Sequence, residues 1–420
     1  MKIYTRKSIR RQSYKIYTLG CKVNQYDSGS LAAALDLAGF VATKNKADLA
    51  IVNSCAVTKT AILKSGRMVK LARKENPKAK IMLVGCWPKV YKIKDVDADF
   101  IIAGNKIVEV IKKNYKLKST DKIRKAKQEE RSRYFIKIQD GCEQYCSYCI
   151  VPYTRGKLKS RRGEEIICEI EQAVKAGYSE IVLSGIHLGL YGQDNKKHNK
   201  NNLVSLLKKI IRINGLGRVR LSSIEITEVS DGLIKLMAKE KKICQHLYIP
   251  LQSGSDKILK LMNRPYTKKY FLDKIKKIRR AMPDIAITTD VIVGFPGETE
   301  KDFKETEKFI KQIKFSRLHV FPFSAHAKLP AAKFPAQVDE KIKAHRAKIL
   351  RELSVKLMGD YKKKFKGREL EIVIEQIKQN NIIGKTEYYF NVEVEKRRIL
   401  SGKINENKKL IGKIFRIKNN

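Results

Sequence analysis

Short apolar runs alternate with helical periodicity in the N-terminal part of the chain. The runs are YKIYTLGC, DLAIVNSC, KIMLVGC and ADFIIAG, and helical stretches cover Ser28 to Leu37 and Ala61 to Glu75. This alternation predicts a parallel sheet with helices on its faces. Cys21, Cys55 and Cys86 each follow the end of a predicted strand. Because ligands bind at that edge of open parallel sheets, we expect the three thiols to converge there.

The same alternation resumes between Tyr134 and Ser324. Six runs are strand candidates, namely YFIKIQD, EIVLSGI, VRLSSIEI, HLYIPLQ, ITTDVIVGF and RLHVFPF. Helical stretches lie between them, for example from Glu164 to Ala176 and from Lys301 to Ile313. Six strand–helix units predict a partial (βα)6 parallel barrel, or a complete one, whose active edge is the C-terminal end of the strands.

The C-terminal part has a different pattern. Residues 338–365 indicate a basic helix, and beyond Gly367 the runs ELEIVIEQI, YYFNVEVE, ILSGKI and LIGKIFRIK alternate apolar with polar positions. These runs predict a small antiparallel β-domain. The fold class is therefore α/β. The predicted limits are 13–117 for the N-terminal domain, 118–133 for a polar linker, 134–360 for the barrel domain and 361–420 for the β-domain.

A net charge of +47 makes nucleic acid the leading partner class, because a field of that sign attracts polyanions. A general bias toward lysine is the alternative explanation. No run reaches the roughly 18 apolar residues of a membrane span. The N-terminal MKIYTRKSIRRQSYK lacks the apolar segment of a secretory signal, so we expect a cytoplasmic protein without membrane partners.

The segment from Asp140 to Cys149 carries the most specific chemistry. It places Cys142, Cys146 and Cys149 in a CxxxCxxC loop, whose thiolates can hold three irons of a cubane. The fourth iron then stays open to the amino and carboxylate groups of a substrate. Zinc is the alternative, but a structural zinc site usually has four ligands. The remaining thiols, those of Cys168 and Cys244, fit no cluster pattern, so we expect both to be buried apolar groups.

This loop, with Tyr148 before its last cysteine, resembles the radical S-adenosylmethionine (SAM) signature. The segments IVPYTRG, HLYIPLQSGSDKILKLMNRPYT and TTDVIVGFPGETE resemble the methylthiotransferase branch of that superfamily. The N-terminal segments TLGCKVNQYDS, VNSCAVT and LVGCW are similar to the cluster-binding domain of the same branch. The resemblance therefore covers nearly the whole chain.

The resemblance implies two [4Fe-4S] clusters and SAM as cofactors. It assigns the SAM-cleaving cluster to Cys142, Cys146 and Cys149, and an auxiliary cluster to Cys21, Cys55 and Cys86. In this family one SAM methylates sulfur on the auxiliary cluster. A second SAM is cleaved reductively, by one electron, to methionine and a 5′-deoxyadenosyl radical, which takes a hydrogen atom from the carbon that then receives the methylthio group.

The resemblance also indicates SAM contacts and a substrate. Tyr148, Ser184 and Gly185 are candidates for the SAM pocket, although a tight turn explains Gly185 equally well. The segment from Cys21 to Asp27, CKVNQYD, resembles the members that act on N6-threonylcarbamoyladenosine in tRNA. The isopentenyladenosine members usually read Cys-Gln-Met-Asn there, and the ribosomal-protein members Cys-Pro-Lys-Asn.

The β-tail resembles the RNA-binding TRAM domain, which implies the tRNA anticodon stem-loop as a partner. An electron donor such as flavodoxin or ferredoxin and a monomeric state are further expectations. The alternatives are methylthiolation of isopentenyladenosine in tRNA or of a ribosomal protein, and a non-catalytic iron–sulfur RNA-binding protein. The run from Ala325 to Pro330, AHAKLP, departs from the family pattern. This departure is the only support for the non-catalytic alternative.

Overall fold

The computed structural model describes residues 12–93, 95–103, 107, 109–111, 131–194, 202–398 and 410–419. The chain divides into two compact units. The first unit comprises the described part of Met1–Glu129 together with Gly141–Gln144 and Cys149–Lys157. The second unit comprises the described parts of Glu130–Asp140, Tyr145–Tyr148 and Leu158–Asn420.

The first unit contains a five-stranded parallel sheet with helices between its strands. The strand order is β2-β1-β3-β4-β5, with β1 Ser13–Thr18, β2 Val41–Ala42, β3 Leu49–Ser54, β4 Lys80–Gly85 and β5 Phe100–Ile101. The helices are α1 Lys22–Leu37, α2 Lys59–Glu75, α3 Trp87–Val90 and α4 Val151–Arg155. The predicted parallel sheet is confirmed. Strand β2 was not predicted, because two exposed residues form no apolar run.

Apolar side chains cover both faces of this sheet. On one face Ile51 and Met82 pack with Leu35 of α1, and on the other Val52 packs with Val69 of α2. Strand β3 is buried along its whole length, as expected for a central parallel strand with helices on both faces. The core therefore holds the C-terminal ends of β1, β3 and β4 in a fixed register.

Six parallel strands form the partial barrel of the second unit. They are β6 Tyr134–Lys137, β9 Glu180–Ser184, β10 Arg218–Leu221, β11 His246–Tyr248, β12 Ala286–Val293 and β13 Arg317–Pro322. The ladders β6-β9-β10 and β11-β12-β13 are joined by isolated parallel bridges from Val219 to Ile243 and from Ser223 to Tyr248. The six strands thus follow one another in chain order, which confirms the predicted partial (βα)6 barrel. A short antiparallel pair accompanies them, formed by β7 Gln139–Asp140 and β8 Lys159–Ser160.

Helices connect the barrel strands. They are α5 Gly163–Lys175, α6 Leu203–Ile210, α7 Asp231–Lys239, α8 Asp256–Leu261, α9 Lys268–Ala281 and α10 Glu300–Ile313, followed by α11 Glu340–Lys363. Short 3₁₀ turns cover Leu188–Leu190, Ile226–Glu228, Pro330–Lys333 and Lys396–Arg398. A capping box formed by Thr299 and Asp302 fixes the start of α10.

The C-terminal sheet is antiparallel, as predicted. Its order is β16-β15-β14-β17, with β14 Glu369–Ile377, β15 Asn381–Thr386, β16 Asn391–Glu395 and β17 Ile414–Lys418. Strand β15 was not predicted, because asparagine and glycine are uncommon in strands. Gly384 is needed there, since a Cβ would stand 2.5 Å from the Cδ1 of Ile372. The run ILSGKI, residues 399–404, lies outside the described residues.

Most of the predicted linker, residues 118–130, also lies outside the described part of the chain. The limits proposed for the three domains therefore stay predictions. Within the described residues, no helix combines the length and the apolar character that crossing a membrane requires.

Candidate functional site

Three cysteines follow the C-terminal ends of neighbouring strands in the first unit. Cys55 and Cys86 come directly after β3 and β4, and Cys21 is the N-cap residue of α1, in the turn after β1. Cys55 and Cys86 are buried, whereas Cys21 is exposed. Since the three strands are adjacent and parallel, these residues lie at one edge of the sheet.

The three thiols at this edge are close enough for their charges to interact. The pKa of Cys55 is raised to about 11, first by burial and then by the thiols of Cys86 and Cys21. Burial likewise raises the pKa of Cys86, and Cys21 adds to the effect. Gly20 permits a close approach, because it has φ +95° and a Cβ there would stand 3.1 Å from the Cys55 sulfur. The structure thus brings the N-terminal trio together.

This set of donors fits an iron–sulfur cluster. Cysteine binds iron as the thiolate. Because the pKa values of Cys55 and Cys86 are raised, these buried thiols keep their protons until a metal cation takes the place of the protons. Cluster irons supply that charge. Within the described residues, no three His, Cys, Asp or Glu side chains are placed to share a single metal ion. A cubane has another geometry, since each cysteine binds a different iron.

Asn24 is a buried polar neighbour of these thiols. Its side chain is 1% exposed, and its Nδ2 donates to the carbonyl oxygens of Leu19 and Ser54 at 2.9 and 3.0 Å. Its Oδ1 lies 3.7 Å from the Cys86 sulfur. Sequence analysis missed Asn24, although its position about one helical turn after Cys21 was a usable signal.

An ion pair lies beside the same thiols. The Nη1 of Arg155, from α4, donates to the Oδ2 of Asp27, from α1, at 2.7 Å. The Nη2 of Arg155 donates to Asn24. Although burial raises the pKa of Cys86, the charge of Arg155 and its hydrogen bond act against that rise. Sequence analysis missed both members of the pair, because more than a hundred residues separate them along the chain.

The CxxxCxxC loop begins in a tight backbone turn. Gly141 has φ +79°, and a Cβ there would stand 1.9 Å from the carbonyl oxygen of Lys157, so this position requires glycine. The backbone N–H of Cys142 donates to the carbonyl of Gly156 at 3.0 Å. Cys142 is buried and Cys149 is half-buried. The backbone of the first unit therefore positions the start of the loop.

Cys146 belongs to the second unit and lies against a buried arginine. The Nη1 of Arg264 is 3.4 Å from the Cys146 sulfur, and its Nη2 donates to the Glu225 carboxylate. The Arg264 guanidinium also lies 5.0 Å from the centre of the Tyr266 ring. A cation beside a cysteine favours the thiolate that binds iron. Arg264 was missed as a site residue, although it stands in the NRPYT segment that supported the resemblance.

The three proposed SAM contacts have different surroundings. Tyr148 packs in an apolar cluster, with its ring 6.4 Å from that of Phe295. The Ser184 hydroxyl donates to the carbonyl of Ile136 at 3.0 Å, at the end of β9. A Cβ at Gly185 would stand 3.0 Å from the Oε1 of Gln139. The Gln139 side chain thus lies close to this glycine, and the SAM contacts stay predictions.

A partly buried carboxyl group lies on a barrel strand. Asp290 of β12 accepts a hydrogen bond from the hydroxyl of Tyr248 on β11, whose ring is 5.4 Å from that of His319 on β13. Burial raises the pKa of Asp290 to about 6, and Glu225 adds to the rise. Carboxyls with raised pKa values are frequent in functional sites. Sequence analysis missed this one, although an aspartate inside the apolar run ITTDVIVGF is itself a signal.

The two remaining cysteines differ from each other. Cys244 is buried, as predicted, and burial raises its pKa to about 11. The prediction for Cys168 was wrong, because its side chain is exposed on α5, where the buried positions include Ile166 and Ile170. The helix thus turns Cys168 away from the core.

Comparison with known proteins identifies the family. Residues 136–310 match the radical SAM superfamily, and residues 13–103 match a family described as uncharacterized protein family UPF0004. Threonylcarbamoyladenosine tRNA methylthiotransferase MtaB of Bacillus subtilis (strain 168) is 38% identical over 417 residues, which cover 92% of this chain and 91% of that protein. The Thermotoga maritima protein of the same name is 36% identical, and the alignment covers 92% of this chain and 92% of that protein.

The name of another similar relative specifies a different nucleoside. The tRNA-2-methylthio-N(6)-dimethylallyladenosine synthase of Carboxydothermus hydrogenoformans is 36% identical, covering 97% of this chain and 96% of that protein. Among solved structures, the radical SAM methyltransferase TsrM of Kitasatospora setae shares the fold, with TM-score 0.56, 12% identity and 77% coverage of each chain. The identities of the curated relatives extend over almost the whole sequence, so this chain belongs to the radical SAM methylthiotransferase family, whose members are transferases that use SAM and [4Fe-4S] clusters.

Proposed function

We propose that the chain transfers a methylthio group to carbon 2 of N6-threonylcarbamoyladenosine, next to the anticodon of tRNA. The observation that carries the proposal is the 38% identity to the Bacillus subtilis threonylcarbamoyladenosine tRNA methylthiotransferase over 92% of this chain. The segment from Cys21 to Asp27 supports the same substrate by its resemblance to that subfamily.

A second candidate substrate is isopentenyladenosine in tRNA, also called dimethylallyladenosine. It is favoured by the 36% identity to the Carboxydothermus hydrogenoformans synthase over 97% of this chain. The two nucleosides differ at N6, where one carries a threonine with a carboxylate and the other an apolar chain. A direct analysis of the modified nucleosides therefore separates the two candidates.

The six cysteines hold the clusters in this proposal. Those of the CxxxCxxC loop hold the SAM-cleaving cluster, and those at the sheet edge, Cys21, Cys55 and Cys86, hold the auxiliary one. When bound, the clusters and SAM supply the radical chemistry that activates an unreactive carbon. The chain binds and orients these groups and excludes water. Arg264 favours the Cys146 thiolate, while Tyr148, Ser184 and Gly185 contact SAM.

The substrate and partners follow from the same proposal. The anticodon stem-loop carries one phosphate per nucleotide, and a chain with net charge +47 attracts it strongly. We place the enzyme in the cytoplasm as a monomer, and we expect a low-potential electron donor such as flavodoxin or ferredoxin. The β-domain contributes to RNA binding in this proposal.

The test compares tRNA nucleosides from cells with and without the gene. Mass spectrometry of digested tRNA is expected to show that 2-methylthio-N6-threonylcarbamoyladenosine disappears in the deletion strain. Plasmid-borne wild type restores it, whereas a Cys142→Ala variant does not, because that change removes a cluster ligand. Loss of the 2-methylthio derivative of isopentenyladenosine instead would establish the second candidate.

Two other outcomes would reject a tRNA-modifying enzyme. Unchanged tRNA nucleosides together with a lost methylthio group on a ribosomal protein would identify a protein as the substrate. Anaerobic protein reconstituted with iron and sulfide, then given dithionite and SAM, is expected to release 5′-deoxyadenosine. If it releases none, the radical-enzyme function is rejected, and the non-catalytic iron–sulfur RNA-binding protein is the alternative that remains.

A further inference from the structure

A buried guanidinium lies among the groups that surround the N-terminal cysteines. The Arg155 side chain is 6% exposed and ends α4, which follows the CxxxCxxC loop in sequence. It reaches two residues of α1, donating to Asp27 at 2.7 Å and to Asn24. Asn24 and Asp27 are three residues apart on the helix, so their side chains share one face. The guanidinium is thus held in place from two points.

The same guanidinium acts on two of the three cysteines at the sheet edge. Its positive charge is close enough to act electrostatically on the thiols of Cys55 and Cys86. Asn24 lies 3.7 Å from the Cys86 sulfur and so connects the cation to that ligand. The arginine is therefore a neighbour of the ligands themselves, within the first unit.

The positive charge of Arg155 can change the reduction potential of a cluster bound at this position. Three thiolates and the Asp27 carboxylate are all negative, and Arg155 supplies positive charge close to them. The reduction potential of an iron–sulfur cluster depends on the net charge around it and on hydrogen bonds to its sulfurs. A nearby cation raises the potential because reduction adds an electron, and a nearby carboxylate lowers it for the same reason. Any step that leaves an extra electron on the irons becomes easier beside the cation.

We propose that Arg155 is a positioning residue of the auxiliary cluster, whose guanidinium is held by Asn24 and Asp27 against Cys86 and raises the reduction potential of that cluster. The inference rests on the proposed function only in assuming that Cys21, Cys55 and Cys86 bind a cluster. The competing explanation is a purely structural ion pair that fastens α4 to α1. Such a pair would contribute to stability and would leave the potential unchanged.

The test is an anaerobic redox titration of the full-length holoenzyme, followed by electron paramagnetic resonance. Adding SAM changes the signal of the cluster that binds it, so the second signal is that of the auxiliary cluster. We expect Arg155→Gln to shift the auxiliary potential to more negative values and Asp27→Asn to shift it to more positive values. Arg155→Lys keeps the charge and is expected to show a smaller shift than Arg155→Gln.

Arg73→Gln is the matched control. Arg73 pairs with Asp99 at 2.8 Å near the start of β4, whereas Cys86 follows the end of that strand. This variant loses an arginine–aspartate pair in the same unit, and its auxiliary potential is expected to equal that of wild type. The SAM-binding cluster is expected to keep its potential in all four variants.

Each outcome decides between the explanations. Unchanged potentials in Arg155→Gln and Asp27→Asn, or shifts of both in the same direction, would overturn the proposal. If Arg155→Gln fails to retain the cluster, Asp27→Asn decides alone, because it retains the arginine and all three cysteines. A wild-type protein without a second cluster would reject the auxiliary site of the proposed function instead.

Discussion

At the scale of single residues, Cys21, Cys55 and Cys86 differ in burial but interact with one another. We predict that replacing all three by alanine lowers the iron content of the anaerobic protein from about eight to about four atoms per chain, because each trio binds one cubane. Acid-labile sulfide is expected to fall in proportion. Iron and sulfide assays on reconstituted protein measure both quantities.

Cys168→Ala is the control for that experiment. Cys168 is an exposed thiol on α5 that belongs to neither trio, so its removal is expected to leave about eight irons. An iron content that stays unchanged in the triple variant would mean that the N-terminal thiols bind no cluster.

The six candidate ligands could be proposed from the sequence, whereas the charged residues that lie beside them could not. Spacing alone singles out the CxxxCxxC loop, and the ends of three parallel strands single out Cys21, Cys55 and Cys86. Arg155 and Asp27 form a pair only after folding, since 128 residues separate them along the chain. No local pattern of polarity contains that information.

At the scale of elements, β10 connects the barrel to the C-terminal sheet. Arg218 and Arg220 are buried on this strand, and both pair with Glu180 of the neighbouring β9, at 2.6 and 2.8 Å. Arg218 also donates to the carbonyl oxygens of Glu371 and Lys385, at 2.8 Å each. The buried charges are therefore satisfied by one carboxylate and by backbone groups of the C-terminal sheet.

We predict that Glu180→Gln destabilises the protein by about 3–5 kcal/mol, because it leaves two buried arginines without their carboxylate. Burial would raise the pKa of Glu180, but Arg220 and Arg218 outweigh it and hold the pKa below its usual range. The stabilisation from this carboxylate is thus complete at neutral pH and is lost only as the pH falls below that range. Urea unfolding of the full chain at pH 7 measures the change.

Glu164→Gln is the matched control on the surface of the barrel. Its carboxylate is 73% exposed and lies 3.8 Å from an exposed arginine, so we expect a change within about 0.5 kcal/mol. Equal stability of the two variants would contradict the role of the buried triad. Sequence analysis identified β10 as a strand but could not identify this triad, because the carbonyl partners lie more than 150 residues further along the chain.

Three consecutive aromatic residues at the C-terminal sheet, Tyr388 to Phe390, take their roles from the packing of the folded chain. Phe390 is buried in the core of this sheet, and Tyr388 packs against that core. Tyr389 stacks on His246 of β11, with ring centres 4.1 Å apart. These contacts give the three rings a packing role.

At the scale of the whole molecule, the net charge of +47 has two explanations, which are RNA binding and a general bias toward lysine. If the lysines and arginines bind RNA, they displace cations condensed on the phosphates, and affinity falls steeply with salt. If they reflect a bias toward lysine, affinity depends weakly on salt. Composition alone does not distinguish these explanations, because it does not say which charges face the RNA.

We predict that the affinity for tRNA falls linearly with salt on a double-logarithmic plot. A protein that neutralises about six phosphates loses about 1,000-fold in affinity between 50 and 200 mM salt. Fluorescence anisotropy with a labelled anticodon stem-loop measures this slope. SAM binding to the same preparation is the control, since SAM carries no phosphate and its affinity is expected to change far less. A slope near zero for the stem-loop would contradict ionic recognition and leave the lysine content as a feature of composition.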